Sequence, residues 1–231
     1  VDIKGTVALV TGANRGIGHA FARALLERGA SKVYAAVRDP KTVTDPDLVP
    51  LRLDVTDEAQ VEAAARAAGD VSLLVNNAGV AGAGTGLLSG GLDGARQAME
   101  VNFLGTWSVS RAFAPVLAGN GGGAVVNMLS LASWVGRPDF PGYAASKAAQ
   151  WSLTESLRKG LHAQGTLVVG VHCGFVDTDL SAWTDEPKIS AAEVAEMALD
   201  AVAQGRYEVL GDELTRSAKA ALSLPPTVSG A

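Results

Sequence analysis

Tyr143 and Lys147 stand four residues apart in Tyr143-Ala144-Ala145-Ser146-Lys147, a spacing that puts both side chains on one face of a helix. A phenol beside an ammonium can do acid–base chemistry. An ordinary tyrosine titrates near pH ~10, and a neighbouring positive charge favours phenolate and draws that value toward neutrality. Ser130 comes thirteen residues before Tyr143, just past the apolar run 123–128. A hydroxyl at the carboxyl end of a strand could hold a substrate oxygen beside the phenol. Asn102, in Val101-Asn102-Phe103-Leu104-Gly105, falls in the middle of a helical stretch, where asparagine is a poor former.

A second constellation opens the chain. Thr11-Gly12-Ala13-Asn14-Arg15-Gly16-Ile17-Gly18 runs from a β-branched stretch into a helical one. Gly12 permits a tight turn, Gly16 lets backbone approach a pyrophosphate that a Cβ would block, and Gly18 lets the helix pack closely on the strand. The helix N-terminus adds unpaired N–H groups and a positive dipole end. Such a turn binds a dinucleotide. Which one is decided at the end of the second strand, where an acid pairs with the ribose diol of NAD and a cation neutralises the 2′-phosphate of NADP. That end reads Ala36-Val37-Arg38-Asp39-Pro40. Val37 is uncharged, Arg38 follows, and Pro40 assigns the dissenting Asp39 to a turn, so NADP(H) is favoured over NAD(H).

The elements that must position these groups alternate along the chain. Apolar runs at 6–11, 32–37, 49–53, 71–75, 123–128, 167–171 and 207–210 read as strands, several of them covered on both faces. Between them, 17–28, 58–68, 93–118, 143–164 and 191–203 read as helices. Gly29 suits a left-handed C-terminal cap, and Thr56-Asp57-Glu58 and Ser190 suit N-caps. The expectation is an α/β, doubly wound Rossmann fold: a single domain over 1–231 with a seven-stranded, mostly parallel sheet and helices on both faces. The glycine-dense segments 82–94 and 119–123 read as surface connections, the first placed where open α/β sheets hold ligands.

Composition narrows the function. Hydrophobic residues make up 48% of the 231, charged residues 19%, and the net charge is −5. That is too apolar for a disordered chain and lacks the basic face of a nucleic-acid binder. The single cysteine excludes an internal disulfide, and no apolar run of roughly 18 residues suggests a membrane span. The first residues lack a secretory apolar region, so a cytoplasmic protein is expected. His19, His162 and His172 share no metal-ligand spacing; no metal is expected, and all three read as structural. Cys173 reads as a small buried residue without a base. Trp134 and Trp183 are candidate pocket walls.

Taken together, these motifs resemble the short-chain dehydrogenase/reductase family over nearly the whole chain, in its order and spacing. The resemblance implies a catalytic tetrad of Asn102, Ser130, Tyr143 and Lys147. Ser133, ten residues before Tyr143, departs from the family spacing, and Ser146 lies inside the helix motif. Leu53-Asp54-Val55 is similar to the family's adenine-contacting segment, Asn76-Asn77-Ala78-Gly79 to its motif after the fourth strand, and Gly174-Phe175-Val176-Asp177-Thr178 to its nicotinamide-side loop. The implied cofactor contacts are Gly12, Asn14, Arg15, Gly16, Ile17, Gly18, Arg38, Asp54, Val55, Asn76, Ala78, Gly79, Tyr143, Lys147, Gly174, Val176 and Thr178. Arg15 is the second cation that NADP-dependent members carry. Asn102 would support a water linking the lysine to solvent, and Lys147 would hydrogen-bond the ribose.

The implied activity is a carbonyl reductase or alcohol dehydrogenase acting on a small carbonyl or alcohol substrate. The same tetrad also serves imine reduction or dehydration and epimerisation, and a non-catalytic NADP(H)-responsive binding protein is a further alternative. Residues 180–190 form a short lid. A homodimer or homotetramer is expected, with helices 93–118 and 143–164 pairing across a two-fold axis. Leu153, Leu157 and Leu161 read as one apolar face with Trp151 off it, a second contact surface.

Overall fold

Each apolar run forms a strand in the computed structural model of the chain, which describes residues 1–82 and 86–225. The strands are β1 (Val7–Thr11), β2 (Lys32–Val37), β3 (Val49–Arg52), β4 (Leu73–Asn76), β5 (Gly123–Met128), β6 (Thr166–His172) and β7 (Glu208–Leu210). They form a seven-stranded sheet in the order β3-β2-β1-β4-β5-β6-β7. Every pairing is parallel, from Val10 beside Ala35 to Val171 beside Val209. Strand order reverses between β1 and β4, and the crevice at the carboxyl ends of those strands is where open α/β sheets take ligands.

Parallel strands need crossovers, and the helices supply them. They are α1 (Gly16–Glu27), α2 (Glu58–Ala67), α3 (Asp93–Ala98), α4 (Thr106–Gly119), α5 (Pro141–Gly160), α6 (Ala191–Ala203) and α7 (Glu213–Ala221). Along β1, Ala8 and Val10 face α1 and α6, joining Phe21, Leu25, Val194 and Leu199 in one core. Leu9 faces the other way, into a second core with Val61 of α2 and Val109, Phe113 and Leu117 of α4. This two-residue alternation makes each strand apolar throughout. Phe21 and Phe113, fully buried on opposite faces, each anchor a layer, and truncating either to alanine would cost about 3–5 kcal/mol.

Several predicted boundaries move. The helix read over 93–118 is interrupted by a π-helical segment, Met99–Gly105, so α3 and α4 are separate elements around it. The helix read over 143–164 begins at Pro141, which suits a first turn, and stops at Gly160 before a one-turn 3-10 helix, His162–Gln164. α7 is an additional element, started by Asp212, whose side chain accepts from the Thr215 backbone N–H at 2.8 Å. Gly29 is left-handed with φ +85° and closes α1 through its N–H to the Leu26 carbonyl, 2.9 Å. Asp57 caps α2, accepting from Gln60 N–H at 3.1 Å. Ser190 and Glu193 cap α6 reciprocally.

The apolar face read on α5 is consumed within the chain. Leu153 and Leu161 are buried, and Leu157 and Leu161 pack into the α2/α4 core, so this face is not a second contact surface. Leu104 and Trp107, in the π-helical segment and α4, are exposed. Of the glycine-dense segment 82–94, residues 83–85 lie outside the described residues, as do 226–231 at the C-terminal end. Among the described residues, no helix is long and apolar enough to cross a membrane.

Candidate active site

The glycine turn is held from behind by the segment that follows β4. Thr11 Oγ1 accepts from the backbone N–H groups of Asn77 and Ala78, each 3.0 Å, and Asn77 Nδ2 donates to the Thr11 carbonyl at 2.9 Å. Gly12 and Gly16 adopt φ of +68° and +54°, conformations that L side chains rarely take. At Gly18 a Cβ would lie 2.2 Å from the Gly12 carbonyl oxygen and 2.5 Å from Asn77 Nδ2. The third glycine thus packs the helix against its own turn, closer still than packing on the strand requires.

The N-terminus of α1 has no capping side chain and no acid in its first turn. Its unpaired N–H groups and positive dipole end therefore remain available to an anion. A dinucleotide pyrophosphate fits this cradle. Asn14, Arg15 and Gly16 are exposed around it, with Ile17 half-buried. Beside the cradle lies a cavity of about 210 Å³ lined by Ala13, Asn14, Arg15, His19, Val43, Thr44, Asp45 and Leu48. Asp45 is already paired: Arg23 lies 3.2 Å away, and the Asp47 backbone N–H, followed by Arg23, holds its carboxyl below the usual range. At the end of β2, Arg38 is exposed, while Asp39 accepts from the Lys41 backbone N–H at 3.1 Å. Asp39 thus belongs to a turn, as Pro40 implies.

The loop after β6 closes over the same rim. Thr178 packs against the glycine turn, within 3.3 Å of the place a Gly16 Cβ would occupy, and Asp179 pairs with Arg15 at 2.7 Å. Ile189 pairs back on Phe175 and Asp177 through backbone bonds of 3.0 and 2.9 Å, so the segment 180–190 is pinned at its base. Val176 is buried, and Gly174 donates its N–H to Asp212. On the other side, Asp54 accepts from Thr56 N–H at 3.0 Å, and Val55 is buried against Gly105, where a Cβ would lie 2.6 Å away. Asn76 is buried and turned to Ser110 and Asn127, 3.0 and 2.8 Å, so its side chain serves the sheet. Gly79 lies close to both Asn102 and Lys147.

Ser130, Tyr143 and Lys147 meet at the carboxyl ends of β5 and β6. Ser130 is buried and starts a one-turn 3-10 helix, Leu131–Ser133, accepting from Ala132 N–H at 3.1 Å. Ser133 accepts from the Ser130 backbone N–H, so this rival serine supports Ser130 rather than replacing it. Ser146 is buried, donating to the Tyr143 carbonyl at 2.7 Å and accepting from Asn102 Nδ2 at 2.9 Å. The expected downward pull on the phenol is not produced by the chain's own residues. Burial pushes Tyr143 up to about 12, with the Ser130 hydroxyl acting in the opposite sense. Lys147, buried, has its Nζ 5.9 Å from the Tyr143 ring centroid and is itself pushed down to about 8 by burial. Burial of both groups outweighs their proximity.

Asn102 explains the π-helical segment. It is fully buried, its Oδ1 accepting from Val80 N–H at 2.8 Å and its Nδ2 donating to the Val80 carbonyl and Ser146, both 2.9 Å. One amide therefore ties the loop after β4 to α5, and the widened turn brings it inward; π segments recur at functional sites for this reason. Lys147 Nζ donates to the Met128 carbonyl at 2.7 Å and to Gln150 Oε1 at 2.8 Å. Sequence reasoning passed over Gln150 and Thr106. The one available signal was Gln150 three residues after Lys147, on the same helix face.

The remaining candidates sort themselves by burial. Cys173 is buried, and burial pushes its thiol up to about 12, which makes it unreactive. Burial pushes His172 down to about 4, and its ring stacks on Trp134 at 3.8 Å. Trp134 lines a cavity of about 240 Å³, but one shared with Ala218, Ala221, Leu222 and Leu224 at α7. Trp183 is 57% exposed and joins Phe140 and Phe175, with ring centroids 5.2 and 5.8 Å away. Phe140 lies three residues before Tyr143 and Phe175 immediately after Gly174, so this aromatic cluster joins the start of α5 to the loop after β6. Among the described residues, no three His, Cys, Asp or Glu side chains cluster as a metal site.

Comparison with known proteins agrees with this fold. The family described as short chain dehydrogenase matches residues 6–188. The short chain dehydrogenase pigC of Monascus ruber is 30% identical, over 87% of this chain and 74% of its own. A short chain dehydrogenase from Burkholderia cenocepacia, solved in complex with NADP, superposes with a TM-score of 0.92 at 40% identity, over 97% of this chain and 95% of that one. A short chain dehydrogenase/reductase from Burkholderia phymatum, solved with NAD, gives a TM-score of 0.85 at 28% identity, over 100% and 99%.

Proposed function

The chain belongs to the short-chain dehydrogenase/reductase family, and from that premise we propose that it is an NADP(H)-preferring carbonyl reductase or alcohol dehydrogenase with Tyr143 as general acid and base. The observation that carries this reading is the convergence of Ser130, Tyr143 and Lys147 at the carboxyl edge of the sheet, on the same edge as the uncapped helix end beside the glycine turn. When bound, a nicotinamide cofactor would supply the hydride for reduction and accept it in oxidation. The chain's residues handle the proton and the oxygen. Ser130 orients the substrate carbonyl oxygen, and Tyr143, whose burial holds its proton more firmly, donates to that oxygen as it gains charge. Lys147 offers its remaining N–H to the ribose. In the alcohol direction Tyr143 takes the proton, which requires the phenolate that a positive charge close by would favour.

Gly12, Asn14, Gly16, Ile17 and Gly18 would cradle the pyrophosphate. Asp54 and Val55 would flank the adenine, the main chain of Asn76 with Ala78 and Gly79 would line the ribose side, and Gly174, Val176 and Thr178 the nicotinamide side. Arg15 and Arg38 would receive the 2′-phosphate. The NADP preference is supported by the turn role of Asp39 and by the NADP-bound relative at 40% identity. Residues 180–190 would act as the lid. The aromatic cluster of Phe140, Phe175 and Trp183 suits a carbonyl compound with an apolar substituent. Self-association through Phe103, Leu104 and Trp107 on the outer face of the π segment and α4 is the oligomeric form we favour, with light scattering as its test.

The test is a panel of aldehydes and ketones incubated with purified protein and either NADPH or NADH. Loss of reduced-nicotinamide absorbance, faster with NADPH, is the expected result. Product formation without cofactor oxidation would point to dehydration or epimerisation. Tight cofactor binding with no turnover of any carbonyl would point to a binding protein.

A further inference from the structure

We propose that Gln150 is a positioning residue for Lys147: with Thr106 it forms a fixed side-chain link between the lysine and the main chain of Asn102. Gln150 is 1% exposed, and burying an amide is unfavourable unless both its ends are satisfied. Both are. Oε1 accepts from Lys147 Nζ at 2.8 Å, and Nε2 donates to Thr106 Oγ1 at 2.9 Å. Thr106 Oγ1 then donates to the Asn102 carbonyl at 2.8 Å. The direction of this chain is determined. An ammonium can only donate, so the amide must present its oxygen to Lys147 and its nitrogen to the threonine.

The link ends on the same asparagine to which the family resemblance assigns a water. The Asn102 side chain is committed to Val80 and Ser146, and its carbonyl to Thr106. Lys147 uses two of its three donors on Met128 and Gln150, so one is left to point at a ligand hydroxyl. The π-helical segment, Met99–Gly105, ends directly before Thr106, and its register sets where that hydroxyl stands. Gln150 can fix the lysine in place but, as an amide, is a poor proton carrier.

Gln150 also governs the charge of the lysine because it is a neutral acceptor. Among the described residues, the titratable groups around Lys147 are Tyr143 on its own helix and His172 and Cys173 at the end of β6, with no carboxylate among them. The buried ammonium, already pushed down to about 8, is therefore sensitive to what stands at position 150. Gln150→Leu removes an acceptor, and Gln150→Glu adds a negative charge to the same place.

The role in turnover rests on the proposed carbonyl reduction, so the test has an arm that needs no turnover. Lys147 would be titrated by NMR of lysine-labelled, cofactor-free protein, alongside the pH profile of carbonyl reduction. Gln150→Leu should lower the Lys147 midpoint and bring the alkaline limb of kcat down by about one pH unit, with kcat reduced about tenfold. Gln150→Glu should move midpoint and limb upward by about the same amount. Gln150→Glu is nearly isosteric and keeps the test valid if the leucine variant does not fold. Opposite shifts support the proposal; a wild-type midpoint in both variants, or shifts in the same direction, overturns it. Failure of every carbonyl with the wild-type protein would instead sink the functional reading, while the NMR arm would still decide on Gln150.

Discussion

The N-termini of α1 and α6 differ in what completes them. At α6, Ser190 and Glu193 satisfy one another's backbone N–H groups, 3.1 and 2.9 Å, and a negative side chain sits in the first turn, favourable to the helix dipole. At α1, the N-cap is Arg15, whose side chain makes no capping bond, and the first turn holds no acid. The contrast is one of purpose. A helix end finished by its own side chains contributes stability, whereas an unfinished one leaves its donors for a ligand. The glycines that build the unfinished end would weaken an ordinary helix, so their presence there makes sense as part of a binding site.

The largest effect that would sharpen this contrast is at Gly18. Gly18→Ala forces a Cβ against the Gly12 carbonyl, so NADPH binding measured by fluorescence titration should weaken roughly 10- to 100-fold. Unchanged binding would mean that the ligand does not use this turn. Next comes Arg15→Ala. It removes a cation from the open end and should reduce the preference for NADPH over NADH about tenfold, leaving the NADH dissociation constant nearly unchanged. At the finished end, Ser190→Ala should lower unfolding stability in denaturant by about 1 kcal/mol without altering cofactor affinity. A change in affinity there would erase the distinction.

The smallest effect is the acid dependence. Glu193 and Asp57, the latter capping α2, have carboxyls held below the ordinary range mainly by backbone N–H bonds from Ser190 and Gln60. A lowered folded-state value means that the stabilisation is complete above the unfolded-chain value and fades as pH falls through the folded one. Thermal melts should therefore show modest destabilisation on acidification below the ordinary carboxylate range. Replacing both residues by their amides should flatten that acid slope.

How much of this was legible in the sequence depends on distance along the chain. The glycine turn and the Tyr143–Lys147 spacing are local: a few adjacent residues fix the geometry, and the structure places them as the spacing implies. The parallel sheet was legible because strands covered on both faces lose their polar alternation. The π-helical segment was not, because Met99–Gly105 reads as ordinary helix until Asn102 finds Val80 and Ser146, partners far away in sequence. The titration of Tyr143 was misjudged for a similar reason. A charge four residues away is visible in sequence, but the burial that outweighs it comes from the whole fold. α7 was missed because its cap is Asp212 with Thr215, where sequence reading looks for a glutamate or glutamine.

The account stands most directly on Tyr143→Phe, assayed for NADPH affinity and for carbonyl turnover in the same preparation. It predicts that the variant binds NADPH as the wild-type protein does and reduces no carbonyl at a measurable rate. Turnover at the wild-type rate in the phenylalanine variant would contradict it.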